Sequence, residues 1–296
     1  MGLSIRKLHL LFPLFVCFLP SLSPASMLTG GESSYVVRQG DTLELIGART
    51  GVNWWRIAKD NGVDTKEPLR IGRQLLINTR RIIPATIENG IIINIPDRTL
   101  YYFSGGVLRL SFPVGLGMLT SKTRDNWKTP LGKFRVVSKE KDPVWYVPRS
   151  IQEEMELEGK EIKTRVPPGP DNPLGRYALK TSLPGIMIHE TIAPASVAQF
   201  RSHGCIRVHT EYMENFFNEI ESNVSGELIY MPVKAAVSDD GRIFLEVHRD
   251  VYHRIRDMHE EAIIQLEKIG ALLKVDMQKV KKILKERSGI AEDVTL

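Results

Sequence analysis

The sequence predicts a multidomain protein with a small α+β module of strand–helix–helix–strand order, then a mainly-β domain, then a helical C-terminal extension. Residues 33–79 show hydrophobicity patterns typical first of a strand, then of two helices and then of a strand, and turn residues separate these segments. Short apolar runs bounded by Gly and Pro recur through residues 88–233. From residue 236 onward, apolar residues return at three- and four-residue steps. A chain of 296 residues with 42% hydrophobic content is long enough for this division.

Residues 1–25 have the features of a secretory signal peptide. Arg6 and Lys7 precede an apolar stretch over residues 10–19, and Ser23-Pro24-Ala25 places small residues at the two positions that a signal peptidase reads. The apolar stretch is too short and too rich in proline for a membrane anchor. We therefore expect export to the periplasm or cell envelope, with no stable membrane span after cleavage.

Residues 33–79 predict the compact N-terminal module. Residues 35–38 indicate a strand, and Asp41 with Glu44 three positions later fits a capping box at the start of a helix. A second helix is expected from Asn53 to Asn61. A final strand over residues 69–77 completes a unit of fewer than fifty residues, which can bury only a small core.

The middle of the chain predicts a β-rich domain over residues 88–233. Strands are expected at 91–95, 100–103, 107–114, 129–137, 186–188 and 228–230. Residues 148–175 are rich in Pro, Gly and charge, which favours a long loop or lid. Beyond residue 236 we expect one strand at 243–247 and amphipathic helices over about 251–269 and 276–287. These helices could cap the β domain or form a docking surface.

Cys205 is the residue with the clearest chemical signal. The other cysteine, Cys17, lies in the predicted signal peptide, so the exported chain keeps one thiol and cannot form an internal disulfide. A thiol needs a base or a positive neighbour to become nucleophilic. His189 ends a predicted strand sixteen positions earlier and is the candidate base, whereas His209 is expected to be packed or exposed. Gly204 permits a sharp turn that would point the amides of residues 204 and 205 at a developing oxyanion.

Two simpler interpretations of this thiol compete with catalysis. Most free cysteines are buried and inert. A zinc site from His189, His203 and Cys205 is conceivable, but the spacing of these residues fits no common zinc motif. Nucleic acid is not an expected partner, because the basic residues behind the net charge of +5 are dispersed and no aromatic residues interleave them.

The run YVVRQGDTL, the Gly51-Val52 pair, Asn61 and the run IGRQLLI occur in an order that resembles a LysM domain over residues 33–79. The resemblance implies binding to the N-acetylglucosamine-containing glycan strands of peptidoglycan. The groove would lie between the first helix and the loop before the second strand. The alternative is a small α+β domain without a ligand.

Residues 88–233 resemble the catalytic domain of the L,D-transpeptidases. The match rests on His189 at a strand end, the segments at 129–134 and 172–175, and the run Ser202-His203-Gly204-Cys205 followed by Arg207. The resemblance implies that Cys205 is the nucleophile and His189 the proton donor and acceptor, with His203 and Gly204 completing the site. Ser202 and Arg207 would lie at the substrate site, where Ser202 would position His203 or the loop and Arg207 would hold a substrate carboxylate. The alternative for Arg207 is a structural salt bridge, and neither a metal nor a nucleotide cofactor is required. Glu190 departs from the Gly or Ser that many members have after the histidine.

The resemblance leaves the acyl acceptor open. A second stem peptide would give a 3–3 cross-link, water would give a carboxypeptidase or endopeptidase, and an amine of a lipoprotein would give protein attachment. A catalytically inactive wall-binding protein would need a broken nucleophile motif, and here the motif is intact.

Overall fold

The computed structural model describes residues 27–119 and 127–296. Their architecture confirms the predicted fold class: a strand–helix–helix–strand module, a mainly-β domain and a C-terminal region with two helices. The predicted signal peptide at 1–25 lies outside the described residues. None of the helices in the described part of the chain has the length and hydrophobicity needed to cross a bilayer.

The N-terminal module buries a small core between one hairpin-like sheet and two helices. Its elements are β1 (Leu28–Thr29), β2 (Glu32–Val36), α1 (Leu43–Thr50), α2 (Trp54–Asp60), β3 (Gln74–Asn78) and β4 (Arg81–Ile82). β2 pairs with β3 in antiparallel register, and β1 pairs with β4. Ile46, Ile57 and Leu75 are fully buried, and Ile290 from the far end of the chain completes this core.

The predicted cap of α1 is wrong by one residue. The hydroxyl of Thr42 accepts the amide hydrogen of Leu45 at 3.2 Å, so Thr42 is the N-cap. Asp41 instead pairs with Arg49 of the following helix and accepts a hydrogen bond from the Tyr35 hydroxyl at 2.8 Å. The Arg49 guanidinium therefore binds the Asp41 carboxylate, which the sequence pattern predicted to cap the helix.

The middle domain is built on one large closed sheet. Its strands are β5 (Gly90–Asn94), β6 (Thr99–Ser104), β7 (Val107–Gly117), β8 (Gly132–Lys141), β9 (Trp145–Tyr146), β10 (Arg165–Val166), β11 (Tyr177–Thr181), β12 (Met187–Glu190), β13 (Phe200–Ser202), β14 (Ile206–Val208) and β15 (Ser225–Ile229). Among the described residues, all but β9 and β10 form one sheet in the order β13-β7-β14-β12-β11-β8-β15-β5-β6. β6 also pairs with β7, which closes the sheet around an apolar core. Helix α4 (Thr210–Glu219) inserts Phe216 into that core.

Two neighbouring parallel strands place the candidate site. β12 and β14 run parallel, with Ile188 opposite Ile206 and His189 opposite Arg207. The two isoleucines are fully buried in the core. Because side chains alternate along a strand, His189 and Arg207 project from the opposite face of the sheet. Cys205 lies immediately before β14, at the same end of the strand pair as Met187.

The segment predicted as a long loop contains a helix. Helix α3 (Arg149–Leu157) buries none of its residues and begins directly after Pro148. The base of the segment is fixed by Asn172, which donates to the carbonyls of Pro143 and Pro167 at 2.8 and 3.1 Å and accepts from the amide of Leu174 at 2.9 Å. The many Pro, Gly and charged residues of this segment indicated a loop and did not reveal the nine-residue helix.

The C-terminal region is a unit with its own core. β16 (Val233–Val237), β17 (Ile243–Val247) and β18 (Glu292–Asp293) form a sheet that α5 (Met258–Lys268) and α6 (Met277–Glu286) cover. The prediction that the first helix begins near Val251 is wrong. Asp250 accepts the amide hydrogens of Arg254 and Ile255, which fixes a turn there, and Asp257 caps α5.

A buried ion cluster joins all three parts of the molecule, and we define it as Asp97, Lys234, Glu246 and His248. The Lys234 ammonium lies 2.7 Å from Asp97, 2.9 Å from Glu246 and 2.7 Å from the carbonyl oxygen of Ile82 in β4. Burial alone would lower the pKa of Lys234, but the two carboxylates outweigh it and raise that pKa. In this cluster one buried ammonium compensates two buried carboxylates, and the cluster connects β4, the middle domain and the C-terminal sheet.

Candidate active site

His189 has a fixed tautomer and an open acceptor nitrogen. Its ring is 5% exposed, and Nδ1 lies 2.5 Å from the carbonyl oxygen of Glu190. A carbonyl can only accept, so Nδ1 carries the hydrogen and Nε2 carries a lone pair. No described residue forms a hydrogen bond with Nε2. Burial, against the hydrogen bond to the Glu190 carbonyl and with the help of the charge of Arg207, lowers the pKa of His189 to about 4, so the imidazole is neutral near pH 7.

The carboxylate of Glu190 has a role unrelated to the imidazole. It accepts the amide hydrogen of Arg176 at 2.6 Å and lies against Gly175, where any Cβ would come within 2.7 Å of the Glu190 side chain. Gly175 also has φ +63°, which favours glycine. Alternation along β12 directs Glu190 away from the face that carries His189. Glu190 therefore supports the turn at residues 172–175, while its backbone carbonyl orients the histidine.

Cys205 is present as a thiol whose nearest hydrogen-bond acceptor is a backbone oxygen. Its Sγ donates to the carbonyl of Gly185 at 3.4 Å. Burial raises the pKa of Cys205, and the amide of Met187 and the charge of Arg207 partly oppose that rise. No hydrogen bond connects Cys205 with His189 within the described part of the chain. A neutral thiol needs base catalysis during attack, unlike a thiolate in a preformed ion pair with an imidazolium.

The loop of residues 202–205 is braced from within. Gly204 adopts φ +107°, which favours glycine, and an added Cβ would lie only 3.0 Å from the Ile186 side chain. The backbone turn therefore requires glycine at this position, as predicted. The hydroxyl of Ser202 donates to the carbonyl of Cys205 at 2.5 Å and accepts the amide hydrogen of Gly204 at 3.2 Å. Ser202 is 2% exposed. The expected substrate contact of Ser202 and the expected oxyanion role of the Gly204 amide both disagree with this arrangement, because each group is already engaged inside the loop.

His203 lies between helix α3 and an indole ring. Its Nε2 is 2.9 Å from a carboxylate oxygen of Glu154, and its ring centroid is 3.9 Å from that of Trp127. The sequence analysis identified neither Glu154 nor Trp127, since both are distant in sequence and follow no motif. The imidazole of His203 therefore connects the 148–175 segment to the loop that carries Cys205.

Arg207 is half-buried and forms no ion pair with a carboxylate of the described residues. The alternative of a structural salt bridge is therefore not observed, and its guanidinium remains available. Burial lowers the pKa of Arg207, against the influence of Cys205. His209, by contrast, accepts the amide hydrogen of Glu211 at 3.2 Å and caps α4, as expected for a packed residue.

A groove of about 380 Å³ opens at Cys205. Its walls are mainly apolar and include Trp145, Tyr146, Leu174 and Ile186. A second groove of about 370 Å³ lies between α1 and the segment before β3, lined by Thr42, Trp54 and Leu69 among others. This second groove lies where the resemblance to a LysM domain implies a glycan-binding groove.

The zinc alternative finds no support in the geometry. Across residues 27–119 and 127–296, one group of three or more His, Cys, Asp or Glu brings its ligand atoms together, namely Asp97, Glu246 and His248. The Lys234 ammonium lies among these side chains. His189, His203 and Cys205 do not converge in this way.

Comparison with known families decides the class of protein. The YkuD family of L,D-transpeptidase catalytic domains matches residues 88–237, half of the chain, and the LysM domain family matches residues 35–78. The chain belongs to the L,D-transpeptidase family. It is an L,D-transpeptidase-type acyltransferase with an N-terminal LysM domain, which confirms the resemblance and the class of enzyme predicted from sequence.

The chain is also similar to individual proteins. The chain is 29% identical to the probable L,D-transpeptidase ErfK/SrfK of Salmonella typhimurium, over 98% of each protein. It is 28% identical to the probable L,D-transpeptidase YcfS of Escherichia coli K12, over 92% of this chain and 87% of the relative. A crystal structure of an L,D-transpeptidase from Mycobacterium tuberculosis is 16% identical over 55% of this chain and 74% of that chain, with a TM-score of 0.35.

Proposed function

We propose that this L,D-transpeptidase forms 3–3 cross-links between peptidoglycan stem peptides, with Cys205 as nucleophile and His189 as proton acceptor and donor. The observation that carries the proposal is the state of His189. Its ring is neutral, its Nδ1–H is fixed by the Glu190 carbonyl, and its Nε2 is left open on the strand next to Cys205. That combination suits a general base for a neighbouring thiol.

Acylation begins when the Cys205 thiol exchanges its contact with the Gly185 carbonyl for one with Nε2 of His189. Nε2 takes the proton while Sγ attacks the carbonyl carbon of the diaminopimelate residue in a tetrapeptide stem. The amide of Cys205 is the candidate donor to the developing oxyanion, because Ser202 engages that of Gly204. The imidazolium then protonates the leaving D-alanine amine, and a thioester remains on Cys205.

Deacylation reverses the proton path. An amine of a second stem peptide loses a proton to His189 and attacks the thioester carbonyl. The carbon–sulfur bond breaks, an amide bond forms, and the thiolate of Cys205 recovers a proton from the imidazolium. The positive charge of Arg207, which lowers the pKa of Cys205, favours the departing thiolate and could also hold a substrate carboxylate.

The LysM domain would hold the enzyme on its substrate. The groove beside α1 offers the exposed ring of Trp54 and the hydroxyl of Thr42 to a sugar chain. Binding to glycan raises the local concentration of stem peptides at the catalytic groove. The predicted signal peptide and a peptidoglycan substrate both support a location outside the cytoplasm.

Product analysis tests the proposal. Purified enzyme is incubated with tetrapeptide muropeptides, and the products are analysed by mass spectrometry. We expect a dimer that has lost one D-alanine and carries a 3–3 linkage, and no such dimer with Cys205→Ala. Cross-linking by Cys205→Ala would refute the nucleophile. Tripeptide monomer without dimer would indicate that water is the acceptor. Transfer of the stem-peptide acyl group to an added lysine-terminated peptide would indicate protein attachment.

A further inference from the structure

Tyr252 reaches the active-site loop from outside the part of the chain that matches the catalytic family. The match ends at residue 237, and Tyr252 lies in the turn between β17 and α5. Its side chain is 4% exposed, and its hydroxyl donates to the carbonyl of Gly117 at 2.5 Å and accepts the amide hydrogen of Thr129 at 3.1 Å. Both partners flank the catalytic loop.

Thr129 continues this chain of contacts to the residue before the proposed nucleophile. Its hydroxyl accepts the amide hydrogen of Gly117 at 2.8 Å and donates to the carbonyl of Gly204 at 2.9 Å. Thr129 is 2% exposed, so water does not compete for these bonds. A continuous path of buried hydrogen bonds therefore runs from the Tyr252 hydroxyl through Thr129 to Gly204.

The hydrogen bond at the end of this path orients the whole peptide unit between Gly204 and Cys205. The carbonyl of Gly204 and the N–H of Cys205 belong to the same peptide unit, which is planar and trans, so they point in opposite directions. A bond that holds the Gly204 oxygen on Thr129 consequently fixes the direction of the Cys205 N–H. Polarisation of the carbonyl by that bond also makes the N–H a better donor.

Tyr252 is itself held rigidly. Its amide donates to the hydroxyl of Tyr230 at 2.9 Å, and that hydroxyl donates to Asp250 at 2.5 Å. Its ring meets the edge of Phe200 at a centroid distance of 5.6 Å, and Phe200 begins the strand that leads into the loop. The ring thus contacts the strand that leads into the loop, and the hydroxyl binds two residues that themselves contact the loop.

We propose that Tyr252 is a positioning residue for acyl transfer. Through Thr129 it fixes the peptide unit between Gly204 and Cys205, so that the Cys205 amide faces the oxyanion and Sγ faces the groove. The inference rests on the proposed role of Cys205 as nucleophile. It makes the C-terminal unit part of the catalytic apparatus, although that unit contributes no group to the chemistry.

The first test removes one hydroxyl. Tyr252→Phe is compared with Tyr212→Phe, which loses a similar bond, at 2.6 Å, to the backbone carbonyl of Arg49 away from the loop. Rates of thioester formation with a tetrapeptide donor are measured together with thermal unfolding. We expect kcat for acylation to fall roughly 3- to 10-fold in Tyr252→Phe, with KM nearly unchanged. Tyr212→Phe should acylate at the wild-type rate.

A second pair of variants tests the same path without touching Tyr252. Thr129→Val should lower kcat for acylation at least as much as Tyr252→Phe, whereas Thr129→Ser keeps the hydroxyl and should restore most of the rate. If Tyr252→Phe fails to fold, the two Thr129 variants still test whether the hydrogen-bond path to Gly204 affects acylation. Equal rates for Thr129→Val and Thr129→Ser, or for Tyr252→Phe and Tyr212→Phe, would overturn the inference.

The Cys205→Ala variant separates this inference from the proposed function. If Cys205→Ala still transfers acyl groups, the proposed function fails, and the positioning role fails with it. If Cys205→Ala is inactive but Tyr252→Phe and Thr129→Val acylate normally, the proposed function stands and only the positioning role is wrong.

Discussion

His189 and His248 are both buried histidines, 5% and 4% exposed, and burial lowers the pKa of each. Their surroundings differ. His248 donates through Nε2 to Glu246 at 2.6 Å, and Glu246 in turn binds the Lys234 ammonium. His189 donates instead to a neutral backbone carbonyl, on the strand that pairs with the strand following Cys205. Burial and a lowered pKa are therefore common to both, whereas a neutral hydrogen-bond partner and a position next to the strand of Cys205 distinguish the proposed catalytic residue.

Replacing each histidine with glutamine should give opposite results. We expect His189→Gln to lower kcat/KM roughly 100- to 10,000-fold, because no group remains to take the thiol proton. Its thermal unfolding should change little. His248→Gln should leave the activity of each folded molecule intact but lower the free energy of unfolding by about 1 to 3 kcal/mol. The reverse pattern would show that the two sites have been assigned the wrong way round.

Breaking the ion cluster tests the structural side of the comparison. Lys234→Met leaves the buried carboxylates of Asp97 and Glu246 without their cation, and we expect a loss of about 3 to 5 kcal/mol in the free energy of unfolding. Chemical denaturation measures it. Arg242→Met, which removes an exposed ion pair with Asp240, is the control and should cost about 0 to 1 kcal/mol. Equal losses in the two variants would contradict a stabilising role for the cluster.

The pH dependence of catalysis gives the smallest of these effects. Activity requires the neutral form of His189, and its lowered pKa keeps that form dominant until the pH falls to about 4. We expect kcat/KM to stay level between pH 7 and 5 and to drop as the pH passes through about 4. Circular dichroism at each pH checks that the chain stays folded. An acid limb near the ordinary histidine pKa of about 6.5 would contradict a buried, neutral base.

The order of the three parts of the chain and the central pair of residues could be predicted from sequence, because both depend on local patterns. Short apolar runs identified most of the longer strands, although β11, β14 and β16 were not predicted, and the thiol motif with its upstream histidine indicated His189 and Cys205 together. Asp41 shows the limit of such patterns. Both Asp41 and Thr42 are residue types that cap helices. Because Arg49 forms an ion pair with the Asp41 carboxylate, Thr42 is the residue that caps α1.

The supporting residues could not be predicted, because their contacts span long distances in sequence. Tyr252 bonds to Thr129 across 123 positions, and Thr129 bonds to Gly204 across 75. Glu154 meets His203 across 49 positions, from a helix that composition alone favoured as a loop. The internal bonds of Ser202 depend on the exact path of a four-residue turn, which residue types do not determine.

The most direct test of the central claim is to trap the acyl-enzyme. The protein is mixed with a tetrapeptide donor, quenched in acid and examined by intact-mass and peptide mass spectrometry. The proposal predicts one added acyl group per chain, located on the peptide that contains Cys205, released by hydroxylamine as a thioester is, and absent in Cys205→Ala. Turnover without this adduct, or an adduct on any other residue, would contradict the claim.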